Sequence, residues 1–198
     1  MNTLEFGAFY FFESVEVERP RRIRFEPKFT AGLGLAAGEP RYNKFLATGN
    51  FHQMLPARYE FDVTGRAEIA SHSTPRFELP ALGGTDNLRG FRADDGFGRK
   101  LWTLQNEVWI PLTIGNDQSK GLKAMLREKV KIASFVDVGG LYDTIDVSPG
   151  MRAGTGIGLR VIYNPIIFKF DFGYGFGEKA TNGGRGKFHF GISSNLPF

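Results

Sequence analysis

The feature that most constrains this chain is an alternation of apolar and polar residues with a period of two. It is sustained over segments of about 10 to 16 residues and repeated along the sequence. Period two belongs to extended strands, whose successive side chains point to opposite faces. The last third shows it most cleanly. Across 166–176 one face reads Ile166, Phe168, Phe170, Phe172, Tyr174, Phe176, and the other Ile167, Lys169, Asp171, Gly173, Gly175. Across 187–198, Phe188, Phe190, Ile192, Ser194, Leu196 and Phe198 oppose Lys187, His189, Gly191, Ser193 and Asn195. Across 151–163, Met151, Ala153, Ile157, Leu159, Val161 and Tyr163 stand against Arg152, Gly154, Gly156, Gly158 and Arg160. Two earlier segments agree. In 58–70 the polar face is Arg58, Glu60, Asp62, Thr64, Arg66 and Glu68; in 22–35 Ile23, Phe25, Phe29, Ala31, Leu33 and Leu35 oppose Arg22, Arg24, Glu26, Lys28 and Thr30.

Weaker alternation at 3–17, 44–55, 100–112 and 128–138 brings the expected count to about nine strands. Soluble strands average about 5–6 residues, whereas about 9–11 tilted residues cross a bilayer. The longest apolar runs, such as 8–12, fall far short of the roughly 18 residues a membrane helix needs, which excludes helical membrane proteins. Mean hydropathy is −0.23, but averaging over alternating faces hides a barrel's lipid face. Aromatics are abundant, with 20 Phe among 198 residues. Tyr10, Phe12, Tyr59, Trp102, Trp109, Tyr163 and Tyr174 fall near strand ends, as interface girdles do. Tight turns at 163–165 and near 55–56, against longer loops at 75–99, 113–127 and 178–186, predict short connections on one side of a membrane and long ones on the other. Alternation also suits a soluble sandwich or barrel, with the apolar face packed inward; periodicity leaves both open.

Net charge is +4 and the pI about 9.4. The 25 basic residues are interspersed with 21 acidic ones, and Arg19, Arg21 and Arg22 around Pro20 make the nearest thing to a basic run, so no nucleic-acid partner is expected. With no cysteine, disulfides and thiolate metal sites are out. His52, His72 and His189 lie in separate segments without ligand spacing, and Asp94-Asp95 reads as a solvated loop, so no metal is expected. Gly154-Thr155-Gly156-Ile157-Gly158 resembles a phosphate loop only superficially, because it lies inside an alternating strand instead of opening a helix. Glycines that make room for an inserted loop explain it better. There is no Gly-x-Ser-x-Gly elbow. We expect no enzyme and no cofactor. Residues 1–12 carry no secretory signal, so the export signal such a protein needs is expected to be missing from this sequence.

Three local patterns favour the membrane. The first is Leu82-Gly83-Gly84-Thr85-Asp86-Asn87-Leu88-Arg89-Gly90-Phe91-Arg92, in the long 75–99 segment ahead of Asn106-Glu107-Val108-Trp109-Ile110-Pro111-Leu112. It resembles the Arg-Gly-Phe/Tyr loop of the BamA/TamA family of outer-membrane assembly and secretion barrels (the bacterial surface antigen family). The second, Phe135-Val136-Asp137-Val138-Gly139-Gly140, is similar to that family's Phe-x-Asp-x-Gly strand. The third is the C-terminus, where Gly191, Leu196 and a terminal Phe198 resemble an outer-membrane assembly signal. The likeness covers about residues 75–198.

The resemblance implies an all-β fold, an antiparallel transmembrane β-barrel, present here as its C-terminal part, in the outer membrane of a Gram-negative-type bacterium. It implies a loop at 75–99 folded into the lumen, with Arg89 meeting an acidic residue of the inner wall. Asp137 is the first-choice partner, with Glu107 and Asp171 also facing inward. Gly90 permits the turn, Phe91 wedges the loop, and Gly139 completes the strand motif. By parity Phe135 and Asp137 share the inner face, and Val136 and Val138 meet lipid. Whole family members resemble about sixteen strands preceded by POTRA domains, and neither those domains nor the first strands are expected in this sequence. Outer-membrane lipid and client polypeptides are the implied partners. Gly191 and Pro197 in the last strand predict a weak lateral seam. A small porin, or the barrel anchor of an enzyme fused upstream, are the alternatives.

Overall fold

The structure is a computed structural model and describes residues 2–14, 20–35, 38–112, 121, 125–126, 129–177 and 186–194. Among the described residues eleven strands form: β1 (Thr3–Gly7), β2 (Tyr10–Glu13), β3 (Arg21–Leu33), β4 (Arg41–Met54), β5 (Glu60–Ala70), β6 (Ala81–Leu82), β7 (Gly96–Pro111), β8 (Val130–Thr144), β9 (Gly150–Tyr163), β10 (Ile166–Gly177) and β11 (Lys187–Ser194). Nine positions make one sheet in the order β1-β3-β4-β5-β7-β8-β9-β10-β11. β1 and β2 both lie on β3 and behave as one interrupted strand, while β6 is a two-residue attachment to β7. Every pairing is antiparallel, as a chain of consecutive neighbours joined by turns requires. The sheet is not closed: β1 and β11 are its ends. It nonetheless curls, because inner residues of β3 (Arg22, Arg24, Glu26) and of β10 and β11 (Lys169, Ser193) line one cavity of about 590 Å³.

The distribution of burial is inverted relative to a soluble barrel, and this decides between the two readings that periodicity left open. Phe172, Phe176, Phe188, Phe190 and Ile192 are all at least half exposed, as are Ile157, Ile69 and Val136. Glu68, Asp137, Arg160 and Asp171, on the opposite faces of the same strands, are at most 2% exposed. A soluble sheet that left its aromatics in water and buried its charges would forfeit the hydrophobic term that drives folding. With acyl chains outside, the same arrangement is favourable. Among the described residues no Asp or Glu takes an outward position in these strands. Outward cations (Arg21, Arg41, Lys100) fall near strand starts, where a long side chain reaches the interface.

Strand lengths meet the membrane requirement, with 16 residues in β7, 15 in β8 and 14 in β9. Two expectations need correction. Trp109 is not an interface aromatic: it shares parity with Glu107, is buried, and donates its indole N–H to the Glu107 carboxylate. Loop lengths also sort less simply than expected. Strand alternation puts the β7–β8 connection at the same end as the tight turns at 55–59 and 164–165, although it is long. The connections at 34–40, 71–95, 145–149 and 178–186 share the other end.

Candidate functional site

The 71–95 connection between β5 and β7 carries the site. Its turns are closed by its own residues. The side chain of Asn87 accepts the Gly83 N–H (2.7 Å) and donates to the Ala81 carbonyl (2.8 Å), closing the Gly83–Asn87 turn. Gly83, Gly84 and Gly90 hold positive φ values of 114°, 91° and 91°, in the region L side chains avoid. Leu82, Leu88 and Phe91 then pack with Leu101 of β7 and Leu141 of β8 in one apolar cluster. Arg89 sits between Leu88 and Phe91, so their anchoring presents its guanidinium to the wall.

There Arg89 meets three carboxylates. Its Nε and Nη2 donate to the two oxygens of Asp137 on β8 at 2.8 and 2.7 Å, a bidentate pair, and its own backbone N–H donates to Asp137 Oδ2 at 3.0 Å. Nη1 donates to Glu107 on β7 and lies 3.5 Å from Asp171 on β10. The guanidinium carbon stands 3.7 Å above the centre of the Phe135 ring. A planar fork with its face on an aromatic ring is an arrangement that lysine cannot reproduce. Arg160 on β9 completes the network, with Nε to Glu107 at 2.6 Å and Nη1 to Asp171 at 2.7 Å. Burial works against the charge on Arg89. The hydrogen bonds and charge of Asp137, then Glu107 and Asp171, outweigh it, so its pKa lies above that of free arginine.

The wall is shaved to admit the loop. A Cβ on Gly154 would overlap the Arg89 carbonyl, one on Gly173 would lie 2.7 Å from the Gly90 nitrogen, and one on Gly175 would lie 2.7 Å from the Phe91 ring. In the other direction, a Cβ on Gly90 would stand 2.7 Å from the Gly175 nitrogen. The Gly90 N–H donates to Nε2 of buried His189 at 3.0 Å, tying the loop to β11.

The residues singled out from the sequence thus fall into two groups. Arg89, Gly90, Phe91, Asp137, Glu107 and Asp171 are brought to one place, with Gly139 beside them, where a Cβ would press on Thr103 (2.9 Å) and Leu82 (3.3 Å). Gly191 lies on the inner face of β11, where a Cβ would stand 2.8 Å from Thr85 of the loop. Leu196, Pro197 and Phe198 lie outside the described residues. Sequence reasoning gave no role to Arg160 or His189, although both were on the polar faces of their strands. Register carried the missing signal: Arg160 pairs with Lys169, two residues from Asp171, and His189 pairs with Asp171 itself.

Residues 21–195, from the start of β3 through β11 and including the whole site, match the Omp85 superfamily domain. No curated protein matches the chain.

Proposed function

The chain belongs to the Omp85 superfamily, a family of non-catalytic outer-membrane barrels that insert or translocate polypeptides, and from that premise we propose that it works as a BamA/TamA-type barrel. Its 71–95 loop is an internal brace locked by Arg89, and client polypeptides engage beside β11. It needs no cofactor and performs no covalent step.

One observation carries this reading: a guanidinium 3% exposed, paired bidentately with Asp137, on a loop that crosses from one end of the sheet to its inner wall. Burying a charge costs several kcal/mol unless it is paired and hydrogen-bonded. A loop that only covered a pore would have no need of such a pair. A locked loop keeps β7, β8, β9 and β10 in fixed relation and reaches β11 through the Gly90–His189 hydrogen bond, while among the described residues the ladder of β11 has one partner, β10. A strand edge in lipid carries unsatisfied N–H and C=O groups, so it favours pairing with an incoming strand.

The test is reconstitution. Vesicles containing the protein are offered a denatured outer-membrane barrel of another kind, and its folded fraction is read from heat-modifiable gel mobility. We expect folding faster than in empty vesicles, and loss of most of the gain in Arg89→Ala. Steady ion conductance with no acceleration of client folding would establish the porin alternative instead.

A further inference from the structure

Gly90 lies against β11 as well as β10, and the bond it makes to β11 carries a chemical condition. Its backbone N–H donates to Nε2 of His189 at 3.0 Å, on a residue 8% exposed. A backbone N–H can only donate, so Nε2 must keep its lone pair, and the proton of the neutral ring sits on Nδ1. Protonation turns Nε2 into a donor as well. Two N–H groups then point at each other, and the bond is lost.

We propose that His189 is an acid-sensitive latch: neutral, it holds β11 to the loop; protonated, it lets β11 part from the loop while the Arg89 lock on β8 stays closed.

Three observations set the latch apart from the lock. Histidine ordinarily changes charge between about pH 5 and 8, whereas a guanidinium stays charged throughout. The partners of Arg89 lie on β7, β8 and β10, so the lock itself does not grip β11. Beside the latch, the loop meets β11 where the Thr85 methyl lies over Gly191, an apolar contact that holds no hydrogen bond in reserve. Charged groups reach the ring from each element around it: Asp171 across the ladder on β10, Asp137 from β8, Arg89 and Arg92 from the loop, and Lys187 on β11 itself. The cations keep their charge over this range, and the two carboxylates give an imidazolium its counter-charge inside the wall. The latch follows from the hydrogen bond alone. Its consequence rests on the reading that clients engage beside β11: acid frees that strand from the loop and favours the engagement.

The test is amide exchange in the full chain in lipid vesicles at about pH 8 and about pH 5, the two ends of the histidine range, corrected for the pH dependence of the intrinsic rate. We expect exchange at Gly90 to be about tenfold faster at the acid end, with β11 following. His189→Gln keeps an acceptor and does not titrate, so it should respond at neither place. The chain has no cysteine, so Thr85→Cys with Gly191→Cys supplies a second variant. A Cβ on Gly191 stands 4.0 Å from that of Thr85, within disulfide reach. Oxidised, the pair should keep β11 protected at the acid end; reduced, it should lose that protection as the native chain does. Equal exchange at both ends in the native chain, an acid response as large in His189→Gln, or loss of protection along β11 despite the cross-link would each overturn the latch. None of these measurements needs a client. Client folding that fails at both pH values, with the exchange response intact, would overturn the client reading and uphold the latch.

Discussion

The two halves of the sheet use the same residue types to different ends. On β2 and β3 the inner-face charges pair with neighbours along the wall. Arg24 joins Glu26 two residues away with both side chains 38% exposed, and Arg22 joins Glu13 across the β2–β3 ladder. These pairs sit beside the open cavity of about 590 Å³ and add little stability. In β7 to β10 the carboxylates of Glu107, Asp137 and Asp171 lie on three different strands, and none is more than 8% exposed. They converge on Arg89 from the loop and Arg160 from β9. The difference is the loop. Where it covers the wall, water is displaced, the local dielectric falls, and ion pairs become strong but costly to break. Where it does not, the wall keeps a hydrated polar face. A charge network on this barrel is therefore a consequence of coverage as much as of composition.

The contrast can be broken most forcefully at Arg89. Arg89→Ala strips buried Asp137 of the guanidinium it pairs with, while Glu107 and Asp171 keep Arg160, and we expect a loss of about 3–5 kcal/mol, read as denaturant unfolding in micelles; the corresponding Arg24→Ala should cost no more than about 1 kcal/mol. Outward positions should show no such asymmetry. Ile157→Arg in one half and Phe25→Arg in the other should each destabilise by about 2–4 kcal/mol, because the lipid is the same on both sides; a large difference between them would mean that one half does not face acyl chains. Glycines sharpen the comparison further. Gly173→Ala pushes a methyl to 2.7 Å from the Gly90 nitrogen and 3.2 Å from the Phe135 ring, and should cost about 1–3 kcal/mol while loosening the loop to proteolysis. Gly49→Ala on β4 meets nothing nearer than 3.8 Å and should be neutral or slightly stabilising. The smallest effect is expected at His189: His189→Gln keeps an acceptor for the Gly90 N–H, whereas His189→Ala leaves it bare and should raise hydrogen exchange at Gly90 by roughly tenfold.

Much of this architecture was legible in the sequence because a strand's period is short and local. Which face of β5, β9, β10 or β11 is apolar needs only the parity of residues such as Glu68, Ile157, Asp171 and Phe190. Which apolar face meets lipid does not follow from parity, and it took the exposure of those phenylalanines to decide it. Trp109 was misplaced by treating an aromatic near a strand end as an interface residue, when its parity with Glu107 already placed it inside. Arg160 and His189 were invisible as partners because pairing across strands depends on register, which loops of differing length set. The sidedness of the 112–129 connection follows from counting strands, and its length misled.

The central claim is that Arg89 and Asp137 act together to fix the loop on the wall. A double-mutant cycle with Arg89→Ala, Asp137→Ala and the pair, followed by the fluorescence of Trp102 and Trp109 during guanidinium unfolding in micelles, tests it directly. The structure predicts a coupling of about 2 kcal/mol or more, with the double variant little worse than either single one. Effects that simply add, to within about 0.5 kcal/mol, would contradict it and leave the loop held by its apolar contacts alone.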